Sequence, residues 1–133
     1  MRATFAIGVM VTTALWANAV IAAEVPESAL KKGRLYAAAR GALRRSGWVP
    51  VRPEDRSADD LAANSFGDAG DMIAAGLTEV MICGGTGANI CEFRWKHGDR
   101  CLRVFTHGEY IQNKSPRLDS HWVESCSKLA SEP

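Results

Sequence analysis

"ICEFRWKHGDRCLRVFT" (residues 90–106) decides how this chain folds. Its two runs, "ICEFRW" (90–95) and "RCLRVFT" (100–106), place apolar residues at every second position. That is the period of a strand with one buried face. The join Lys96-His97-Gly98-Asp99 reads as a tight hairpin. With His97 and Gly98 as a two-residue turn, Phe93 faces Leu102 and Cys91 faces Val104. Trp95 shares their face. Glu92 then faces Arg103 on the other side, an opposite-charge pair. A slip of one residue would set Phe93 against Arg103 and break the apolar face, so the loop must be even.

The same period marks "TEVMIC" (78–83) and "SHWVES" (120–125) as strands. Upstream, the spacing predicts a helix over residues 29–46, with Ser28 as N-cap and Gly47 as the stop. Leu35, Tyr36, Ala38, Ala39, Ala42 and Leu43 share one side of it, and Arg34, Arg40, Arg44 and Arg45 fall mostly on the other. This is an amphipathic surface helix whose alanines suit close packing on a sheet. In "GWVPVRP" (47–53), Trp48 and Val49 plug the core edge, and the prolines confine the piece to an edge. Residues 54–76 carry Glu54, Asp55, Asp59, Asp60, Asp68 and Asp71 with scattered Gly and Ala. They read as an irregular solvated loop, with room for helical turns at 59–64 and 69–76. No D-x-D-x-D-G spacing supports a calcium loop. The expected fold class is α+β: an N-terminal amphipathic helix packed on a roughly four-stranded antiparallel β-meander with two disulfides.

Four cysteines, Cys83, Cys91, Cys101 and Cys126, allow three pairings. No C-x2-C knuckle exists, and separations of 8, 10 and 25 residues fit no common zinc site. Cys91 and Cys101 fall on opposite faces of the hairpin. The expected bridges are therefore Cys83 with Cys91, closing the loop "GGTGANI" (84–90), and Cys101 with Cys126, tying back the last strand. As cross-strand partners, Cys83 and Cys91 would set Met81 against Phe93 in the core. The glycine loop is not a phosphate cradle: a strand follows it, and no lysine is near. Its glycines supply positive φ in a turn under a disulfide.

Residues 1–23 read as a signal peptide. Arg2 gives a short basic region, an uncharged and mostly apolar run follows from Phe5, and small residues end it, with cleavage after Ala22 or Ala23. The apolar stretch from Phe5 to Ala17 is short for a membrane span. Residues 24–133 are expected to form a single domain, periplasmic or secreted, with no membrane span after cleavage. Without Arg2 the chain carries 15 Lys and Arg against 15 Asp and Glu. That neutrality argues against a nucleic-acid binder.

Catalytic sets are sparse. There is no G-x-S-x-G and no H-E-x-x-H. His107, Glu109 and His121 are the acid–base candidates, and histidines beside a glycine (His97, His107) are ordinary turn residues. No catalytic residue, metal ligand or cofactor is assigned. The expected function is a non-catalytic binding protein of the bacterial-type envelope or exterior, engaging a protein or an envelope ligand. Alternatives are an inhibitor or immunity-type protein against a hydrolase, and a small hydrolase or metal-dependent enzyme. The helix covers one face of the sheet. The other face carries Arg94, Arg103 and Phe105 beside Glu92. If the last strand runs straight from the Cys101–Cys126 bridge, Trp122 joins them as a binding face. The competing expectation is that the C-terminal tail or residues 54–76 cover this face.

Overall fold

The computed structural model describes residues 23–52, 59, 67–84, 87–111 and 114–130. The leader before Ala23, the acidic residues Glu54, Asp55 and Asp60, and residues 85–86 of the glycine loop lie outside the described residues.

Helix and antiparallel sheet combine in the order α1 (Tyr36–Arg45), β1 (Val49–Pro50), α2 (Gly67–Ala74), β2 (Val80–Cys83), β3 (Cys91–His97), β4 (Arg100–His107), β5 (Arg117–Ser125) and α3 (Cys126–Ala130). The sheet runs β1-β3-β4-β5, and β2 pairs with β3 on the same edge as β1. All pairings are antiparallel.

The hairpin faces follow the period of the sequence. Cys91, Phe93, Trp95, Leu102 and Val104 are all buried on one side. The turn, however, is Gly98-Asp99, so Phe93 pairs with Val104, Trp95 with Leu102 and His97 with Arg100. This differs from the expected register by two residues, which keeps every side chain on its face. The reason is Gly98, whose φ is +60°. Positive φ at the first turn position alone is the type II′ pattern, which calls for glycine there. The expected turn would have put His97 in that strained place.

A second correction falls on β2. Val80 pairs with Phe93 and Ile82 with Glu92, so Met81 is an extra residue, a β-bulge. Val80, not Met81, therefore enters the core. A similar shift at Asp119 lets β5 set Ser120 against Phe105 and Leu118 against Thr106.

Helix α1 begins at Tyr36 rather than residue 29. Residues 33–36 are instead paired with the start of β5: Gly33 N–H donates to Leu118 O (2.8 Å), Leu118 N–H to Arg34 O (2.7 Å) and Tyr36 N–H to Pro116 O (2.9 Å). Ser28 does not cap the helix; Ser115 Oγ accepts from Ala37 N–H (2.8 Å). The apolar stripe is narrower than its sequence suggests, with Tyr36, Ala39 and Leu43 buried and Leu35 exposed. At the other end Gly47, with φ +84°, stops the helix. Its N–H donates to Arg44 O (3.1 Å), and Trp48 N–H donates to Leu43 O (3.0 Å), the paired bonds of a Schellman motif. Trp48 is buried as expected of it, but Val49 points outward.

Residues 67–74 correct the irregular-loop reading at the place where the sequence allows a helical turn, 69–76. They form α2 and place Ala69, Met72 and Ile73 in the core. A segment with six acidic residues looked solvated, but its apolar positions 69, 72 and 73 fit one helix face.

Beneath α1 lies a buried polar network. Glu79 is wholly buried. Tyr36 hydroxyl donates to its Oε1 (2.9 Å), and Arg40 donates through Nε to Oε1 and through Nη2 to Oε2 (3.3 Å). Trp95 Nε1–H donates to the Tyr36 oxygen (3.0 Å), and the Tyr36 ring stacks on Phe93 with centroids 3.8 Å apart. Burial, and then the charge on Glu79, push the Tyr36 hydroxyl well above the usual tyrosine range.

Two disulfides are present, Cys83–Cys91 and Cys101–Cys126, with Cα atoms 4.0 and 4.9 Å apart.

Two expected outcomes follow from this architecture. Replacing Cys83 and Cys91 by alanine should retain the fold and cost about 2–3 kcal/mol, and replacing Cys101 and Cys126 about 3–4 kcal/mol because the loop is longer; urea titration reads both. The Tyr36 hydroxyl stays protonated in the fold after an unfolded tyrosine has ionised. Stability is therefore complete below about pH 10 and falls above it, because the unfolded chain alone releases that proton. Tyr36→Phe should reduce this alkaline loss, and tyrosinate absorbance during a pH titration checks it.

Candidate functional site

The face of the sheet away from α1 and α2 is built by the alternate residues of β1 to β5. Cross-strand partners share a face, so the register reads as three rows. Ile82, Glu92, Phe105 and Ser120 form the first. Arg94, Arg103 and Trp122 form the second. Val49, Lys96, Cys101 and Glu124 form the third. The structure thus brings Arg94, Arg103, Phe105 and Trp122 onto one surface. It adds Ile82 and Val49, which sequence reading did not assign there.

The centre of the face is a charge ladder. Arg94 sits directly opposite Arg103. Two like charges in register repel, and Glu92 lies diagonally between them. Its Oε1 accepts from Arg94 Nε (2.6 Å) and Arg103 Nε (2.9 Å), and its Oε2 from Arg103 Nη2 (3.3 Å). The expected Glu92–Arg103 pair therefore forms, but along a diagonal rather than straight across. Glu124 continues the ladder, 3.6 Å from Arg103 Nη1 and 3.8 Å from Lys128 Nζ. Both carboxylate side chains are only 9% exposed.

An aromatic pair stands beside the ladder. Phe105 and Trp122 stack with centroids 4.5 Å apart and planes 21° apart. The Arg103 guanidinium carbon lies 5.4 Å from the Phe105 ring centre and 5.1 Å from that of Trp122, within cation–π reach. Trp122 is nevertheless 43% exposed, Val49 51% and Ile82 64%.

The other end of the face is partly covered. The Cys101–Cys126 bridge draws α3 against it, and Leu129 is buried there. The expectation that the C-terminal tail folds over the face is thus met at this end and not around Trp122. Between β1, β3 and α3 a groove of about 320 Å³ remains, lined by Val51, Met81, Leu129, the disulfide and three cationic residues.

The acid–base candidates are not assembled. His121 lies opposite Val104, and its Nε2 is 3.0 Å from Glu27 Oε2. His107 lies opposite Arg117 at the far end of β4. Among the described residues no three His, Cys, Asp or Glu side chains are grouped to hold a metal ion, and no helix is long and apolar enough to cross a membrane. Sequence reading places Asp68 in a solvated acidic loop, but the residue has a structural role. Its Oδ2 accepts from the Asn89 side-chain amide (2.5 Å) and from Tyr110 N–H (2.7 Å), fastening the glycine loop to α2. Those partners lie 21 and 42 residues away, so no local pattern announces them. Comparison of the chain with protein-family models, with curated proteins and with solved structures gives no match.

Proposed function

We propose that this chain is an exported, disulfide-stabilised, non-catalytic binding protein that docks a partner protein on its open sheet face. The stacked Phe105–Trp122 pair beside Arg103 carries this reading. A folded domain gains little from leaving a stacked tryptophan 43% exposed, whereas aromatic residues and arginine are enriched at interface centres. Rigid backing matters too, because ordering a floppy surface on binding costs affinity. Here the ladder of Glu92, Arg94, Arg103 and Glu124 already fixes the side chains around the aromatic pair.

Export rests on the leader and the cysteines. Disulfides persist in oxidising compartments. Ala23 fits the mature chain: it is buried, and its carbonyl accepts from Arg100 Nη1 (3.0 Å). Of the two cleavage positions, the one after Ala22 retains this bond. Mass spectrometry of protein produced with its leader should show a mature chain starting at Ala23. Intact Met1 in a cytoplasmic fraction would end the export reading.

Trp122→Ala combined with Phe105→Ala tests the docking face. The double variant should keep its far-UV spectrum, because neither ring belongs to the core cluster. Binding to a partner captured from the native envelope should fall about thirtyfold or more. Undiminished binding by the folded variant would remove this face from consideration. Unfolding of the variant would show that the pair completes the domain.

A further inference from the structure

The groove at the α3 end of the open face has a composition of its own. Its floor is apolar: Val51 from the segment after β1, the bulged Met81 of β2, Leu129 of α3, and the Cys101–Cys126 disulfide. Its wall is cationic. Arg94 and Lys96 are two residues apart on β3, so both side chains leave the same face of the strand. Arg52 stands at the same rim.

Among the described residues the charges of Arg94 and Lys96 in the groove are not cancelled within it. Glu92 and Glu124, the carboxylates nearest in the register, are both nine-tenths buried and committed to the arginine ladder. Arg94 uses Nε for Glu92, and among the described residues its terminal nitrogens make no hydrogen bond. Lys96 is exposed and forms no ion pair among the described residues. The groove therefore offers a guanidinium end and an ammonium over an apolar floor. A guanidinium end matches a carboxylate geometrically through two parallel bonds. A largely apolar cleft with a few placed polar groups is the usual form of a small-ligand site, and about 320 Å³ lies at the small end of that range.

We propose that this groove binds an alkyl carboxylate, its chain on Val51, Met81, Leu129 and the disulfide and its head on Arg94 and Lys96. The site does not rest on the docking of a partner protein, since Phe105 and Trp122 take no part in it.

Octanoate, octanol and octylammonium, titrated into the mature protein and followed by backbone amide shifts, test the proposal. Octanoate should shift Val51, Met81, Lys96 and Leu129, and octanol and octylammonium should bind about tenfold more weakly or not at all. Lys96→Glu should weaken octanoate about tenfold or more and improve octylammonium; Lys96→Met should fall between. Trp122→Ala should leave octanoate binding unchanged. A dipeptide ending in a leucine carboxylate that binds more tightly than octanoate would also support the site and would identify a peptide C-terminus as the source of the carboxylate. Equal binding of octylammonium and octanoate, shifts confined to other residues, or no octanoate binding at millimolar concentration would overturn it.

Discussion

A carboxylate without water organises the covered side of the sheet. Burying a charge costs several kcal/mol unless donors replace its hydration. Glu79 finds those donors on two residues of α1, Tyr36 and Arg40. Tyr36 in turn accepts from Trp95 of β3 and stacks on Phe93. Arg40 Nη2 also donates to the Gly76 carbonyl (3.0 Å), just past the end of α2. One buried acid thus fixes the places of α1, of β3 and of the chain leaving α2 relative to each other. A helix packed one turn out of place would leave the carboxylate without donors. Apolar contacts alone, which are non-directional, would penalise that displacement less.

Local periods made part of this fold legible. The faces of β3 and β4 follow from strict alternation and an even loop, and once those faces are known Cys91 cannot reach Cys101. The details that failed were those set by one residue's backbone or by distant partners. Gly98 selects the turn because of its φ, which alternation does not encode. The Met81 bulge is invisible to a period-two reading that sees only "VMIC". Helix α1 starts late because Gly33 to Tyr36 hydrogen-bond with residues 116–118. Glu79 looked like one more strand polar residue, since its partners lie 39 and 43 residues away. Helix α2 was legible only as a possible turn at 69–76, and its place in the core was missed by counting its charges before its apolar spacing.

The open face shows the same division. Arg94, Arg103, Phe105 and Trp122 share it because parity along β3, β4 and β5 puts them there. Ile82 follows from the same parity, because Cys83 opposite Cys91 sets it opposite Glu92; the bulge decides only that Val80 rather than Met81 takes the core position. The groove needed α3, whose five residues turn back across the disulfide. Five residues are too few for a helical period to stand out in a sequence.

The two faces handle charge in opposite ways, and that contrast bears on function. On the covered face the buried Glu79 carboxylate draws donors inward from α1. On the open face two carboxylates are drawn down between arginines until only 9% of each side chain is exposed. Sinking the anions leaves the cations nearer to solvent: Lys96 is exposed, and the Lys128 side chain is 69% exposed. A chain whose formal net charge is only +1 therefore presents, among the described residues, cationic groups at one end of this sheet. Net charge describes solubility and long-range steering. The burial of Glu92 and Glu124 bears on which sign an approaching group meets at contact, and among the described residues of this end Lys96 and Lys128 stand exposed.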